Sequence, residues 1–306
     1  MSQRPDTAAP TVTPAAEVDV DEALVRRLIK EQHPDLAALP LAPAGSGWDN
    51  AMFRLGSDLA VRLPRRAMAA NLVEHEHHWL PLLAPRLPIA VPAPLRTGRP
   101  GGGYPWRWSV LPWLPGEPAD VSPPAPHQAV PLAGFLRALH VAAPPDAPVN
   151  PYRGVPLAKR DELVRARLQR LASLLTPNAI AVWESALSAP AAVNTCWVHG
   201  DLHARNVLVD EGAISGVIDW GDLCAGDPAT DLAAVWMLLD DAHARRQAIR
   251  HYGAVEDGTW LRAAGWAVSF GTVLLETGLA DHPRHARLGH VILRRVDEGP
   301  GPGELH

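Results

Sequence analysis

The sequence predicts an α+β protein with a small β-rich front part and a larger, mostly helical back part. Short runs of alternating apolar residues are concentrated before residue 114, whereas apolar residues at helical spacing dominate the chain after it. With 306 residues and 47% hydrophobic content, the chain can form a substantial core. We therefore expect either one large domain or two lobes that share a deep cleft.

Composition divides the chain into four segments. Residues 1–18 are rich in Ala, Pro and Thr and lack the apolar stretch of a signal peptide, so they are predicted to be a flexible tail. Residues 19–113 form the predicted β-rich lobe, and residues 114–298 form the predicted helical lobe. Residues 299–306 are rich in Gly and Pro and are predicted to be a flexible C-terminus.

Charge and cysteine content argue against several kinds of partner. The formal net charge is −5 and the basic residues are scattered, unlike those of a nucleic-acid-binding protein. Cys196 and Cys224 are too few for a disulfide framework, which indicates a reducing compartment. No run of residues is predicted to be long and apolar enough to span a membrane. We expect a cytoplasmic protein that binds small molecules and needs no nucleic acid, membrane or obligate protein partner.

In the β-rich part, periodicity predicts a helix, a hairpin, a second helix and a further strand region. Three prolines, Pro34, Pro40 and Pro43, are expected to interrupt the chain between the first helix and the hairpin. A hinge is predicted at Leu111–Gly116. The predicted elements are the helices Val20–Lys30 and Met68–Leu83, the paired strands Ala51–Leu55 and Leu59–Leu63, and strands within Tyr104–Trp113.

In the helical part, one β segment at Trp197–Asp219 interrupts a series of helices. The predicted helices are His127–Val141, Arg160–Leu175, Asn178–Leu187, Ala229–Asp241, Ala244–Tyr252, Thr259–Gly278 and Arg284–Val296.

The β segment contains the most informative motif. Val207–Asp210 and Ala213–Ile218 are short apolar runs on either side of a Glu-Gly turn, so they should pair as a hairpin. Such a hairpin brings Asn206, just before it, close to Asp219, just after it. An amide oxygen and a carboxylate held together suit Mg²⁺, which takes its remaining ligands from water and substrate phosphates.

Asp201 lies on the loop that enters this site. The spacing from Asp201 to Asn206, followed by an Asp before the Trp-Gly pair, is typical of kinase catalytic loops and metal-binding turns. Phosphoryl transfer requires a group that orients the attacking hydroxyl and accepts its proton. We therefore expect Asp201 to be the catalytic base.

Three motifs, His199-Gly200-Asp201-Leu202-His203, Ile218-Asp219-Trp220-Gly221-Asp222 and Gly226-Asp227-Pro228-Ala229-Thr230-Asp231-Leu232, resemble the aminoglycoside phosphotransferase and choline-kinase-like family. The resemblance implies a two-lobed protein-kinase-like fold, with Asp201 as base and Asn206 and Asp219 as Mg²⁺ ligands. It also implies transfer of the γ-phosphate of ATP, or of GTP, to a small hydroxylated molecule: an aminoglycoside or other antibiotic, an amino alcohol or a sugar. The sequence departs from the family at Ala204-Arg205, which replaces a frequent Pro-Gly pair.

Residues before the hinge provide the candidate nucleotide contacts. Gly45, Ser46 and Gly47 precede the predicted hairpin and can place backbone N–H groups over the phosphates. Arg62 stands where kinases carry a lysine that pairs with the phosphates and a helix Glu. Glu76 is the expected partner of Arg62, with Glu74 as the alternative.

Two other functions use part of the same sequence. His199, Asp201 and His203 alternate along an extended loop and could hold a catalytic metal for hydrolysis. The replacement of the strand lysine also suggests a nucleotide-binding module without catalysis. For a cationic acceptor, the candidate carboxylates are Asp240, Asp241, Glu276 and Asp281; Trp236, Trp260 and Trp266 could line an acceptor pocket or belong to the core.

Overall fold

The computed structural model describes residues 15–47, 49–280 and 282–299. Most of the predicted N-terminal tail, and all but the first residue of the predicted flexible C-terminus, lie outside the described residues, as do Trp48 and Asp281. The proposed boundaries between the segments stay predictions. The α+β fold class is confirmed: a sheet dominates the first part of the chain and helices dominate the rest.

The front part is a five-stranded antiparallel sheet accompanied by two helices, with strand order β1-β2-β3-β5-β4. The first helix begins where Asp21 Oδ1 accepts a hydrogen bond of 2.7 Å from Leu24 N. The elements of the front part are α1 (Glu22–Gln32), β1 (Leu41–Ser46), β2 (Asn50–Leu55), β3 (Leu59–Pro64), α2 (Ala67–Leu83), β4 (Arg96–Gly98) and β5 (Trp108–Pro112).

Strand β1 corrects the expectation that prolines would keep this region irregular. Pro43 lies opposite Phe53 of β2, and the register shifts between Pro43 and Gly45. Because β1 is at the edge of the sheet, a proline there removes no hydrogen bond to a second neighbour. The predicted β region Tyr104–Trp113 contains only β5, and the short edge strand β4 was not predicted.

The back part contains eight helices and two small sheets among the described residues. Strands β6, β8 and β9 form one sheet, and β7 pairs with β10 in the other. The elements are β6 (Glu117–Pro118), α3 (Ala129–Leu139), α4 (Asp161–Arg170), α5 (Pro177–Ser188), β7 (Cys196–Val198), β8 (Val207–Asp210), β9 (Ala213–Val217), β10 (Cys224–Gly226), α6 (Ala229–Leu232), α7 (Ala234–Leu238), α8 (Ala242–Tyr252), α9 (Thr259–Ala280) and α10 (Pro283–Glu298).

The prediction of one continuous helix over Ala229–Asp241 was wrong. The chain forms two short helices there, α6 and α7, and α7 ends at Leu238. Two buried arginines explain the stop. Arg295 donates to the carbonyl oxygens of Trp236 and Met237, and Arg245 donates to that of Leu239 at 3.1 Å. These guanidinium groups donate hydrogen bonds to carbonyl oxygens that would otherwise be bonded by the backbone N–H groups of a further helical turn. The predicted helix Arg160–Leu175 is likewise shorter, ending at Arg170.

Helix α9 corrects the expectation about membrane-spanning runs. In the described part of the chain it is the one helix long and apolar enough to cross a membrane by length and composition. However, 72% of its most apolar window is buried within the protein, as in a core helix.

Glycines allow α10 to approach α9 closely: a Cβ atom at Gly289 would lie 2.4 Å from Leu275 N.

Candidate active site

The predicted β8–β9 hairpin is confirmed and holds two candidate metal ligands together. Val207 and Val217 are the last paired residues at the open end of the hairpin. Beyond them, Ile218 N donates a hydrogen bond of 2.9 Å to Asn206 O. Asn206 and Asp219 therefore flank the open end of the hairpin. Asp219 has a φ of 61°, a left-handed conformation that Asp and Asn tolerate better than most residues.

The loop that carries Asp201 is anchored by a buried carboxylate. Asp231 accepts hydrogen bonds from His199 N at 2.6 Å and Gly200 N at 2.9 Å, and it is fully buried. Gly200 has a φ of 85°, and a Cβ atom there would lie 2.7 Å from Asp222 O. The conformation of the loop thus depends on Gly200 and on the buried carboxylate of Asp231.

Polar groups surround the carboxylate of Asp201. Arg153 Nη2 donates to Oδ1 at 2.9 Å, while Asn206 Nδ2 donates to Oδ2 at 3.2 Å. His203 Nε2 lies 3.4 Å from Oδ2. Burial by itself raises the pKa of Asp201, but its interactions with His203, Arg153 and His199 and the hydrogen bond from Asn206 together hold that pKa below its usual range. Asp201 is therefore kept ionised, as a proton acceptor must be.

Arg153 was not identified from the sequence. It lies in the irregular segment before α4, outside every recognised motif, and its distance of 48 residues from Asp201 gives no local signal. It also reaches Asp222, with Nε 3.5 Å from Oδ2, and Asn150 donates to the other oxygen of Asp222 at 2.7 Å.

The oxygen donors near the hairpin fit Mg²⁺. Asn206 Nδ2 donates to Asp201, so the amide oxygen of Asn206 is the atom that it could offer to a metal ion. The Asp219 side chain is 56% exposed, so its carboxylate is open to a solvated ion. Two protein oxygens leave room for phosphate oxygens and water, the usual coordination of Mg²⁺.

The same geometry does not support the metal-dependent hydrolase. His199 Nε2 bonds Ile218 O at 3.0 Å, and its Nδ1 accepts from Asp201 N at 3.2 Å, so both ring nitrogens are occupied. In the described ranges, no group of three or more His, Cys, Asp or Glu side chains is placed to hold a metal. His199 therefore supports the loop instead of binding an ion.

Arg62 joins the sheet to the hairpin. Its Nη1 lies 2.5 Å from Glu76 Oε2, and its Nη2 lies 3.2 Å from Asp219 Oδ1. Burial by itself lowers the pKa of Arg62, but the negative charges of Glu76 and Asp219 raise it above its ordinary value. Glu74, the alternative partner, instead pairs with Arg107 at the surface.

A cleft of about 550 Å³ lies between the sheet and the hairpin, within the size range of ligand sites. Arg62, Asp219 and Gly47 line it, together with the predicted hinge residues Leu111, Pro112, Trp113, Leu114 and Gly116.

The predicted glycine-rich loop is only partly at this cleft. Gly45 belongs to β1 and is not among the lining residues, and the backbone of Ser46 pairs with Ala51. Gly47 N donates to Asn50 O at 2.9 Å, so this amide would have to exchange that hydrogen bond for one to a phosphate.

The carboxylates and tryptophans suggested for the acceptor pocket have structural roles in this protein, apart from Asp281, which lies outside the described residues. Asp240 pairs with Arg294 and Arg295, Asp241 accepts from Ala244 N at the start of α8, and Glu276 pairs with Arg167 and Arg170. Trp236, Trp260 and Trp266 are buried in the main hydrophobic core. Core packing, the alternative considered for the tryptophans, is what the structure shows.

A β-sheet lobe joined through a hinge to a helical lobe, with an Asp-Asn-Asp cluster at their junction, defines a phosphotransferase of the protein-kinase-like class. The sequence profile of the phosphotransferase enzyme family APH matches residues 40–266, and the chain belongs to this family. It is a small-molecule kinase whose acceptor group is a hydroxyl, and a nucleotide is its phosphoryl donor.

Individual relatives agree with this assignment. Viomycin phosphotransferase from Streptomyces vinaceus is 31% identical over 206 residues, which cover 59% of this chain and 68% of the relative. The GDP complex of aminoglycoside 2'-phosphotransferase-IIIa has a similar fold, with a TM-score of 0.69 and 19% identity over 91% of this chain and 99% of that one. Macrolide 2'-phosphotransferase MphH from Brachybacterium faecium gives a TM-score of 0.57 and 21% identity, covering 89% of this chain and 98% of that one.

Proposed function

We propose that this protein transfers the γ-phosphoryl group of ATP, in a Mg²⁺-dependent reaction, to a hydroxyl group of a small molecule. The observation that carries the proposal is the grouping of Asp201, Asn206 and Asp219. Asn206 donates to Asp201 at 3.2 Å, and it is held beside Asp219 by the 2.9 Å bond from Ile218 N. Asp219 in turn lines the 550 Å³ cleft.

The nucleotide would occupy that cleft. The hinge, Leu111–Gly116, offers backbone groups and apolar side chains for the adenine ring at one end. Arg62 and Asp219 lie together at the other end, where the phosphates belong. A guanidinium presents two donors to phosphate oxygens, so Arg62 can take the place of the usual lysine.

The metal would be held by the amide oxygen of Asn206 and the carboxylate of Asp219. Bound there, Mg²⁺ would neutralise charge that develops on the transferring phosphoryl group. Asp219 contacts Arg62 at 3.2 Å in this structure, so the same carboxylate connects the phosphate-binding arginine with the metal site.

Asp201 would receive the proton of the acceptor. The hydroxyl oxygen forms a bond to the γ-phosphorus, the bond from that phosphorus to the β–γ bridging oxygen breaks, and the proton passes to the Asp201 carboxylate. ADP and the phosphorylated acceptor are the products. The depressed pKa of Asp201 keeps the carboxylate ready for this role at neutral pH.

The names of the relatives suggest antibiotics as the first acceptors to test. One relative is named for viomycin, and proteins of similar fold are named for aminoglycosides and macrolides. Amino alcohols and sugars are further acceptors within the same chemistry.

The test is a screen of these hydroxyl compounds with Mg·ATP and, separately, Mg·GTP. Acceptor-dependent release of nucleoside diphosphate should be matched by a phosphorylated product in mass spectrometry. Nucleotide binding without transfer to any acceptor in the screen would favour the non-catalytic module instead.

A further inference from the structure

A row of arginines lies beside Asp201 but outside the lining of the nucleotide cleft. Arg153 contacts Asp201 at 2.9 Å, and its guanidinium carbon lies 4.9 Å above the ring centre of Phe270 on α9. Arg160 follows at the start of α4, and Arg167 lies two turns further along that helix. The row runs from the proposed catalytic base towards α9.

Arg160 is the member of this row that lacks a counter-ion. Among residues 15–47, 49–280 and 282–299, no carboxylate lies within ion-pair distance of Arg160, and its buried Nε has no hydrogen-bond partner. Its guanidinium carbon lies 5.8 Å from the ring centre of Tyr152, which is exposed. Burial, followed by the charges of Arg153 and Arg167, lowers the pKa of Arg160 below its ordinary value.

The carboxylates that pair with the other arginines of this region form no ion pair with Arg160. Glu276 is shared by Arg167 at 3.1 Å and Arg170 at 2.6 Å. Asp222 is bound by Arg153 and by Asn150. Asp201 is bound by Arg153, and none of these three carboxylates forms an ion pair with Arg160.

We propose that the acceptor carries an anionic group, such as a carboxylate or sulfate, which is bound by Arg160 with Arg153 beside it while the acceptor hydroxyl approaches Asp201. This inference rests on the proposed function and narrows its acceptor class. An anion here supplies the missing counter-ion of Arg160, and competes with Asp201 for Arg153, which frees an oxygen of the base. A polycationic acceptor would instead meet the uncompensated charge of Arg160, which like-charge repulsion disfavours.

The first experiment uses inorganic sulfate as the probe and does not depend on turnover. The protein is saturated with Mg·ADP, so that the nucleotide site is filled, and sulfate is titrated by calorimetry at constant ionic strength. We expect Arg160→Ala to raise the Kd for sulfate about tenfold, because a charge-assisted bidentate contact is lost. Lys159→Ala removes the adjacent, exposed charge and should leave sulfate binding unchanged.

Two outcomes would overturn the anion site: no sulfate binding by the unmodified protein, or equal weakening by Arg160→Ala and Lys159→Ala. Thermal unfolding checks that each variant is folded. If Arg160→Ala does not fold, Arg160→Lys decides the question. It keeps the charge but loses the planar fork, so it should bind sulfate more weakly than the unmodified protein does.

The second experiment compares glucuronate, glucose and glucosamine, which present similar hydroxyls beside an anionic, neutral or cationic group. The ratio kcat/KM should be largest for glucuronate, and Arg160→Ala should lower it for glucuronate but not for glucose. A preference for glucosamine would contradict the inference. If neither these sugars nor any acceptor in the wider screen is phosphorylated, the proposed function fails, whereas the sulfate titration still decides the anion site.

Discussion

Arg62 Nη2, on β3 of the sheet, lies 3.2 Å from Oδ1 of Asp219, which follows the β8–β9 hairpin. The other terminal nitrogen of Arg62 pairs with Glu76 on α2 at 2.5 Å. One guanidinium therefore ties a helix of the front part to the proposed metal ligand of the back part. A lysine has a single terminal nitrogen and cannot reproduce this fork. The arginine at this position thus couples the two parts of the site.

The first prediction concerns this coupling. Arg62→Lys should keep the positive charge and lose simultaneous contact with Glu76 and Asp219, so the KM for ATP should rise about tenfold. Steady-state kinetics with varied ATP would measure the change. Arg107→Lys, which alters the surface pair with Glu74, is the matched control and should have little effect. An unchanged KM in Arg62→Lys would show that the fork is dispensable.

The second prediction concerns the proposed base. Asp201→Asn preserves the shape of the side chain but removes the proton acceptor, so kcat should fall about 10²- to 10⁴-fold. Binding of Mg·ATP should persist, because Asp201 is not among the residues that line the nucleotide cleft. Calorimetry and single-turnover kinetics would separate the two effects. Asp210→Asn, at the exposed end of β8, should behave like the unmodified protein; retention of full activity by Asp201→Asn would exclude its role as base.

The third prediction concerns pH. Interactions with His203, Arg153 and His199, together with the hydrogen bond from Asn206, hold the pKa of Asp201 below its ordinary value despite burial. Removing the cation in Arg153→Gln should raise that pKa, so the acidic limb of the kcat profile should move to higher pH. Arg165→Gln, which disrupts the surface pair with Glu184, should leave the limb in place. An acidic limb that stays fixed in Arg153→Gln would contradict the assignment.

The same pKa shift has a consequence for stability with a definite sign. A carboxylate whose pKa is lower in the folded protein than in the unfolded chain stabilises the fold above the unfolded pKa of about 3.9. That contribution disappears as the pH falls through the folded pKa. Denaturant unfolding of Arg153→Gln should therefore show a smaller loss of stability on acidification than the unmodified protein does.

The fourth prediction concerns the metal. Asp219→Asn keeps a residue that tolerates a φ of 61° and removes only the negative charge. The Mg²⁺ concentration for half-maximal activity should rise about tenfold or more, since each loss of about 1.4 kcal/mol in binding free energy is a factor of ten. A Mg²⁺ titration of the rate at fixed ATP measures this. An unaltered Mg²⁺ requirement would remove Asp219 from the metal site.

Much of the fold was predictable because the relevant signals are local. Alternating apolar residues predicted β2 and β3 to within one residue, and helical spacing predicted α2, α5 and α9 to within two. Strand β1 was missed because its prolines and glycine resemble a loop, and only its place at the sheet edge makes them acceptable. The α6–α7 segment ended early because arginines from other helices satisfy its carbonyls. No local pattern contains such distant partners.

The residues of the candidate site likewise include some that local spacing brought together and others that meet only through tertiary packing. Asp201, Asn206 and Asp219 lie within one loop and one hairpin, so their spacing along the chain was enough to indicate that they meet. Arg153 and Arg62 reach the same place from 48 and 157 residues away along the chain. Their contribution depends on how the sheet and the helices pack, because a charge acts through its distance in space. The sequence by itself determined which groups are proposed to perform the chemistry and that Arg62 is paired with Glu76, whereas tertiary packing decided that Arg153 reaches Asp201 and that Arg62 reaches Asp219.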